Sequence, residues 1–328
     1  MQPSPDRRWG AAAAGVLFAA SALVGCAATD AADPAATVTV TNCGAEVSFA
    51  AVPERVVLLK SASVPFLAEL GVLDHVVARA GVYPREYYDD ATWAALEAIP
   101  VLTDQIDTSG HLQISREEVL AQRPDLVLGE VDNISRATLA ASNVPLLEEP
   151  ALCGVDAHEP TFDDIDAQMT LYGQVFDRAD AAAAANARLD ERVSAARERV
   201  AAGESRTAAV LYPTIGGGVT YAYGRGSMAH PQLEAAGFTN VYADVADRVF
   251  EVTREDLIGR DPDVLVLLYS SGDADAVKQA VTSMRGADAI AAVRDDAIVT
   301  QPLNFSEPPT PLAVTGLERI VDQVGERP

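Results

Sequence analysis

The chain has 328 residues and a formal net charge of −24 at pH 7, with 24 Lys and Arg against 48 Asp and Glu. That length is more than one hydrophobic core comfortably holds and fits two lobes. An apolar fraction of 49% excludes general disorder. The acidity argues against a nucleic-acid binder, which needs a basic face, and against attachment to anionic lipid through the chain's own charges.

The N-terminal residues carry an export signal. Two arginines precede an apolar run over residues 11–24, which is too short to span a bilayer, so residues 1–25 are predicted to be a signal peptide. The run ends at Leu-Val-Gly-Cys26, which resembles the lipobox of bacterial lipoproteins. The resemblance implies that Cys26 is lipidated and that the protein is anchored to the outer face of the cytoplasmic membrane. Residues 26–36 would be a flexible tether. An ordinary signal peptide with an incidental cysteine is the alternative, and the export route, general secretion or twin-arginine, stays open.

Strand and helix patterns alternate along the first half of the chain. A hairpin is predicted around Asn42-Cys43-Gly44 because alternating apolar residues flank a turn signal. Short apolar runs joined by short connections are typical of a buried parallel sheet. The predicted strands are 55–59, 75–80, 125–129 and 144–147, and the predicted helices are about 62–71, 90–98 and 135–142.

The middle of the chain has a helical period instead. We predict a helix over 161–178, capped by Thr161 and about 27 Å long, followed by a second helix over about 180–202. The α/β alternation then resumes, with strands at 208–212, 264–268 and 298–300 and helices at about 231–237, 274–283 and 310–323. The predicted domains are an N-terminal α/β lobe (37–160), an interlobe helix (161–178) and a C-terminal α/β lobe (179–328).

Two cysteines remain in the predicted mature chain, Cys43 and Cys153. In an exported protein such a pair is most simply a disulfide, and two free thiols are the alternative. Two cysteines and scattered histidines do not suggest a metal site.

A 14-residue pattern occurs once in each half of the chain, at an offset of 138 residues. It reads [ST]-R-E-[ED]-[VL]-[LI]-x-x-x-P-D-[VL]-[VL]-[VL] and starts at Ser115 and Thr253. Both residues are predicted helix N-caps, and the Pro-Asp pair ends the helix and leads into a buried strand. The repeat indicates two homologous α/β lobes. Glu117 and Glu255 fall at the second helical position, where they would be exposed, either as surface acids that favour the helix dipole or as functional groups.

These features together resemble the helical-backbone periplasmic binding proteins of ABC importers for ferric siderophores, haem and cobalamin. The resemblance covers about residues 37–328. It implies an α/β fold of two Rossmann-like lobes joined by one long α-helix, with the ligand cleft between the lobes. It also implies that Glu117 and Glu255 contact Arg residues of the two permease halves. Each exposed pair would contribute only about 0–1 kcal/mol and would set register more than affinity.

Ligands of open α/β sheets bind beyond the carboxyl ends of the strands. Applied to both lobes, this rule selects a set of polar and aromatic candidates. They are Lys60, Tyr83, Arg85, Tyr87, His111, Glu130, Tyr212, Tyr223, Arg225, Phe250 and Asn304. Arg and Lys beside Tyr suit an anionic aromatic ligand, because Arg pairs with carboxylates or catecholates and stacks on rings.

The chain is therefore interpreted as a lipid-anchored, monomeric receptor that captures a ferric siderophore and delivers it to an ABC permease. A ferric siderophore carries its own iron ligands, so no cofactor or metal site of the protein is predicted. A haem receptor is an alternative, with His111 or Tyr83 as the axial ligand, whereas cobalamin would favour more Trp. A non-transport envelope scaffold or signalling lipoprotein is the alternative from another class. The sequence contains no P-loop, G-x-S-x-G or H-E-x-x-H motif, so no motif of these kinds indicates an enzyme.

Overall fold

The computed structural model describes residues 38–107, 111–153, 158–200, 206–216, 218–270 and 273–325. The predicted signal peptide, the lipidation site at Cys26 and the tether lie outside the described residues. The described residues fold into two α/β lobes, each built on its own sheet. This confirms the predicted fold class.

The N-terminal lobe combines an antiparallel hairpin with a four-stranded parallel sheet in the order β4-β3-β5-β6. The predicted hairpin is confirmed, with Val38 opposite Phe49. The first helix ends where predicted, at Gly71, whose φ of 67° is readily available to glycine. The elements are β1 Val38–Asn42, β2 Ala45–Phe49, β3 Val56–Leu58, α1 Val64–Leu70, β4 Val76–Arg79, α2 Asp90–Ala98, α3 Arg116–Ala121, β5 Leu126–Leu128, α4 Arg136–Leu139 and β6 Leu146–Leu147.

Two helices follow the first lobe, α5 Asp163–Val175 and α6 Ala179–Glu198. At 13 residues α5 is about 20 Å long, shorter than the predicted 161–178. Thr161 is not its cap: Phe162 holds that position, and the Asp164 carboxylate accepts the backbone N–H of Thr161 at 2.6 Å. The lobe boundaries at 160 and 179 stay a prediction. Within the described residues no helix is both long enough and apolar enough to cross a membrane.

The C-terminal lobe has a mixed sheet in the order β10-β8-β7-β11-β12, with β9 also paired to β7. Strands β7, β11 and β12 run parallel, and β8 is antiparallel to both of its neighbours. The sequence interpretation missed β8, because the glycines at 216–218, 224 and 226 suggest a loop around it. The elements are β7 Arg206–Pro213, β8 Thr220–Tyr223, α7 Ala229–Ala235, β9 Phe238–Asn240, β10 Val249–Val252, α8 Arg254–Arg260, β11 Val264–Tyr269, α9 Ala274–Thr282, α10 Ala291–Arg294, β12 Ile298–Pro302 and α11 Pro311–Ile320.

One apolar core continues from lobe to lobe through the helices. Phe66 of α1 packs edge-on against Tyr172 of α5 at 5.5 Å between ring centroids, and both side chains are fully buried. Helix α6 packs on α1, α5 and α11, and its buried face carries the predicted Leu189 and Val193. Because removing this apolar area from water is favourable, the helices hold the two sheets in a defined relation.

The repeat has the same structural role in both lobes. Ser115 and Thr253 cap α3 and α8 as predicted, each accepting a backbone N–H from the third helical residue. Asp125 then accepts the N–H groups of residues 54 and 55 at 2.9 and 2.8 Å, just before β3. Asp263 likewise accepts the backbone N–H and the hydroxyl of Thr207 in β7, both at 2.8 Å. The Asp of each motif therefore fixes the start of the adjacent parallel strand.

The disulfide between Cys43 and Cys153 is present, as predicted, with 5.3 Å between the Cα atoms. It joins the hairpin turn to the chain segment that leaves β6, across a separation of 110 residues. A crosslink over so long a loop restricts the unfolded chain strongly and so favours the folded state.

Removing either repeat aspartate should destabilise the protein. Asp125→Ala and Asp263→Ala each delete a charged acceptor and leave the start of a strand unpaired, so each should cost about 2–3 kcal/mol. Urea unfolding of the full chain measures this, with Glu191→Ala on the exposed face of α6 as the control, expected to change stability by less than about 0.5 kcal/mol. If only one of the two substitutions lowered the unfolding free energy, the equivalence of the two motifs would be contradicted.

Candidate ligand-binding site

The carboxyl ends of strands from both sheets meet between the lobes. Asn304 follows β12, and its backbone N–H donates to the Tyr87 hydroxyl, which lies beyond β4, at 3.2 Å. The Asn304 side-chain amide donates to the hydroxyl of Ser61, just beyond β3, at 3.2 Å. Phe305 stands edge-on to Tyr87 at 5.6 Å between ring centroids. Two of the predicted candidates, Tyr87 and Asn304, thus lie in direct contact across the cleft.

Four tyrosines gather around this contact. Burial raises the pKa of Tyr87 to about 12, and the hydrogen bond from the Asn304 N–H opposes that rise. The nearby phenols of Tyr212 and Tyr269 raise the pKa of Tyr87 further. Burial also raises the pKa of Tyr223, and the nearby phenol of Tyr212 adds to that rise. Tyr87 and Tyr223 therefore stay protonated at neutral pH and can both donate and accept hydrogen bonds. Tyr87, Tyr212 and Tyr223 were predicted for the cleft, and Tyr269 was not.

A cavity of about 490 Å³ adjoins the cleft. One wall is the segment beyond β6, including Glu149 and His158, and the other is formed by C-terminal-lobe loops that carry Arg225 and Arg248. Glu159 links the two walls of the cavity, because its carboxylate accepts a hydrogen bond from Nε of Arg225 at 2.7 Å. The predicted Arg225 is therefore part of the wall of an interlobe space.

Glu148 is the polar centre of the N-terminal wall. This buried carboxylate accepts Lys60 Nζ at 2.6 Å and the backbone N–H groups of Glu130 and Glu149, both at 2.7 Å. Its own backbone exchanges two hydrogen bonds with the Asn42 side chain. Lys60 and Glu130 lie where predicted, at the ends of β3 and β5, but Lys60 is paired within its own lobe. A buried carboxylate needs such compensation, since burying an unpaired charge is costly.

Glu149 is buried without a cation of its own. It is 3% exposed, one carboxyl oxygen accepts the Tyr172 hydroxyl at 3.0 Å, and the other has no hydrogen-bond partner among the described residues. Burial, assisted by the neighbouring Glu148, raises its pKa to about 8 against the opposing effects of Tyr172 and Lys60. Glu149 is therefore mostly neutral at pH 7.

The cations of the C-terminal wall are also paired. Arg248 contacts the carboxylate of Glu307 at 3.1 Å, and Glu307 is only 2% exposed. Burial raises the pKa of Glu307, and Arg248 and the Met228 N–H, which donates to Glu307 at 2.5 Å, oppose that rise. Because Arg225 pairs with Glu159, both arginines of this wall already have a carboxylate partner.

Four predicted candidates have contacts within one lobe only. The Tyr83 hydroxyl donates to the carbonyl of Ala80 at 3.1 Å in the N-terminal core, and burial raises its pKa. Arg85 pairs with Asp90 at the start of α2. The two others are His111, whose ring is 58% exposed and lies 3.1 Å from Asp132, and Phe250, which lies on β10 and packs edge-on against Tyr242 at 5.4 Å.

Two of the structural assignments correct the sequence analysis. Tyr223 ends strand β8 and Phe250 lies within strand β10, and neither strand is among those predicted from the sequence. The rule that selected the candidates would also have found Tyr269 and Glu148, which stand at the ends of predicted strands. The same rule could not have selected Arg248, because Arg248 precedes β10, a strand that was not predicted.

Glu117 and Glu255 are exposed at matching positions, one in each lobe. Their side chains are 75% and 70% exposed at the start of α3 and α8. Each lies beside the Arg that precedes it, and the hydrogen bond from Arg254 lowers the pKa of Glu255. Both carboxylates are therefore available to a partner that binds across the two lobes.

The donor groups of the site do not resemble a metal centre. Among the described residues no three His, Cys, Asp or Glu side chains are grouped as ligands of one ion would be. The neutral hydroxyls and the amide between the lobes suit a ligand with many oxygen atoms.

The chain belongs to the periplasmic binding protein family, which its residues 56–303 match. This is a family of exported binding proteins for ABC transport, not of enzymes. The resemblance inferred from the repeat and the two lobes is thus confirmed.

Among solved structures, the chain is similar to a protein of Saccharomonospora viridis described as an ABC-type Fe3+-hydroxamate transport system, with 57% identity, a TM-score of 0.82 and coverage of 88% of this chain and 99% of that one. The haem-binding protein RhuT of Roseiflexus sp. RS-1, at 21% identity and a TM-score of 0.64, covers 83% of this chain and 98% of its own, and shares the fold. A curated cobalamin-binding protein of Halobacterium salinarum is 27% identical over 239 residues. That match spans 70% of this chain and 58% of the relative's length.

The raised pKa of Glu149 predicts a pH-dependent stability. Its ordinary pKa is 4.5, so between about pH 4.5 and 8 the folded protein holds a proton that the unfolded chain releases. This stabilisation is complete below pH 4.5 and is lost as the pH rises towards 8. The unfolding free energy of Glu149→Gln should therefore fall less steeply with pH than that of wild type, by up to about 1.4 kcal/mol per pH unit.

Urea unfolding of the full chain at pH 5, 6, 7 and 8 tests this prediction. Glu191→Gln removes an exposed carboxylate from α6 and should follow the wild-type curve at every pH. Parallel curves for wild type and Glu149→Gln would show that Glu149 titrates normally.

Proposed function

We propose that this protein is a lipid-anchored receptor that captures a ferric hydroxamate siderophore and delivers it to an ABC permease. The similarity to the Saccharomonospora viridis protein carries the proposal, because 57% identity over almost the whole of both chains extends well beyond a shared fold. The ligand class is that protein's, and its transfer to this chain is part of the proposal.

The chemistry of the cleft is consistent with such a ligand. Three hydroxamates supply all six oxygen atoms that iron(III) takes, so the protein contributes no iron ligand and needs no cofactor of its own. What it can contribute are hydrogen bonds to the outer oxygens of the chelate and apolar contact with its linkers. We assign these contacts to Tyr87, Tyr212, Tyr223, Arg225 and Asn304 from the predicted set, and add Tyr269.

The alternatives receive less support from the described residues. A haem receptor would need an axial ligand, but the Tyr83 hydroxyl donates to the carbonyl of Ala80 and His111 lies beside Asp132 on an exposed loop. An envelope scaffold has no need of an interlobe cavity of about 490 Å³. We therefore keep the binding protein as the proposed class.

The membrane anchor and the docking site complete the proposal. A thioether-linked lipid on Cys26 would hold the receptor, as a monomer, at the outer face of the cytoplasmic membrane. Glu117 and Glu255 would contact arginines of the permease, one in each half. Exposed carboxylate–arginine pairs of this kind favour encounter and register over affinity.

Ligand binding is tested by quenching of the intrinsic Tyr and Trp fluorescence of the full chain, purified in mild detergent, with ferrioxamine B. We expect saturable 1:1 quenching and, in Tyr87→Phe, an affinity about fivefold to tenfold lower, since one hydrogen bond is lost. Tyr242→Phe alters a buried tyrosine in the core of the C-terminal lobe and should bind like wild type. Absence of quenching by ferrioxamine B, together with tight binding of haemin, would contradict the proposed ligand class.

Docking is tested by uptake of radiolabelled ferrioxamine B into cells whose only receptor is the variant. Glu117→Ala combined with Glu255→Ala should reduce uptake about tenfold or more while the dissociation constant of the purified receptor stays unchanged. Glu191→Ala combined with Glu198→Ala, on the exposed face of α6, is the matched control. A parallel loss of binding and uptake would refute the docking role.

A further inference from the structure

We propose that the cleft selects ferric tris-hydroxamates that are neutral or positively charged and discriminates against anionic ones. This inference rests on the proposed function and specifies the net charge of its ligand. It replaces the anionic aromatic ligand that Arg and Lys beside Tyr suggested from the sequence alone.

Most cations of the site are already neutralised. Three of the basic side chains that border the cleft and its cavity have a carboxylate within ion-pair distance. The pairs are Lys60 with Glu148 at 2.6 Å, Arg225 with Glu159 at 2.7 Å and Arg248 with Glu307 at 3.1 Å.

These pairs cannot be exchanged cheaply for an anionic ligand. Glu148 and Glu307 are almost fully buried; Glu148 also accepts two backbone N–H groups and Glu307 accepts that of Met228. Drawing Lys60 or Arg248 towards a ligand would leave a buried carboxylate without its cation, which is strongly unfavourable. Both cations therefore stay with their partners when a ligand enters.

The charged side chains outside these pairs leave the site slightly negative. Arg319 has no carboxylate partner among the described residues, and it lies over the Phe305 ring at 4.9 Å. Two carboxylates of the same region, Glu86 and Asp247, are likewise unpaired within the described part of the chain. Glu86 raises the pKa of Tyr87 and Tyr269, and Asp247 lines the cavity. The site therefore carries a small negative surplus, and the whole chain carries −24. Such a field attracts cations and repels anions.

A matched series of ligands isolates the effect of charge. The ferric complex of ferrioxamine B is a neutral tris-hydroxamate chelate with a terminal ammonium group, so its net charge is +1. Acetylation of that amine gives a neutral ligand, and succinylation gives one of −1, with the same chelate in all three. Titration of the full chain in detergent at low salt should give affinities that fall in the order +1, neutral and −1, with the −1 ligand about tenfold or more weaker than the +1 ligand. The difference should shrink as salt is added.

A variant ties the effect to the ion pairs. Glu159→Gln frees Arg225 without removing a buried group, so the preference for the +1 over the −1 ligand should fall severalfold. Glu191→Gln on α6 removes the same charge away from the pairs and should leave the preference unchanged. An unchanged preference in Glu159→Gln would overturn the assignment to the pairs.

The outcomes separate this inference from the function on which it rests. Equal affinities across the series, or tightest binding of the −1 ligand, would overturn charge selection while the receptor function stands. Failure of all three ligands to bind would overturn the proposed function, and the inference would fall with it.

Discussion

A buried carboxylate at the end of β6 organises the edge of the N-terminal lobe where its parallel strands end. Glu148 must be compensated because a charge removed from water is costly, and its partners come from the ends of β3, β5 and β6. Its backbone is bonded to Asn42, next to the Cys43 disulfide, so the hairpin is fixed to the same point. Lys60 therefore balances the charge of Glu148 within the N-terminal lobe.

The C-terminal lobe applies the same principle with different residues. Glu307 is buried beyond β12 and is compensated by Arg248 and the Met228 N–H. Each lobe thus presents to the cleft a buried carboxylate with one cation, while Tyr87 and Asn304 supply neutral hydrogen-bonding groups between them. The chain's excess of acidic residues therefore shapes the cleft as well as the outer surface, and this arrangement is the basis of the proposed preference for neutral or cationic ligands.

Features with local signals were predictable from the sequence. The caps at Ser115 and Thr253, the helix end at Gly71 and the hairpin at 42–44 depend on neighbouring residues, so their residue types suffice. The rule that ligands lie beyond strand ends selected Tyr87 and Asn304, and the structure brings these two residues together between the lobes, because the rule depends on topology. The disulfide followed from the number of cysteines in an exported chain.

The ion pairs were not predictable, because they join residues far apart in the chain. Lys60 and Glu148 are 88 positions apart, and Arg248 and Glu307 are 59 apart. No local pattern shows that an Arg beside a Tyr already has a carboxylate partner, and so the sequence suggested an anionic ligand. Strands β8 and β10 were missed for a related reason, since both are four-residue strands that are defined by pairing with each other and, for β8, with β7.

The central claim is that iron enters this protein inside a chelate held between the lobes. Anomalous diffraction at the iron edge, from crystals of the protein grown with ferrioxamine B, tests it most directly. The account predicts a single iron peak between the lobes, near Tyr87, Tyr212 and Arg225, with no protein atom in the coordination sphere. An iron peak bound by protein side chains, or located outside the space between the lobes, would contradict it.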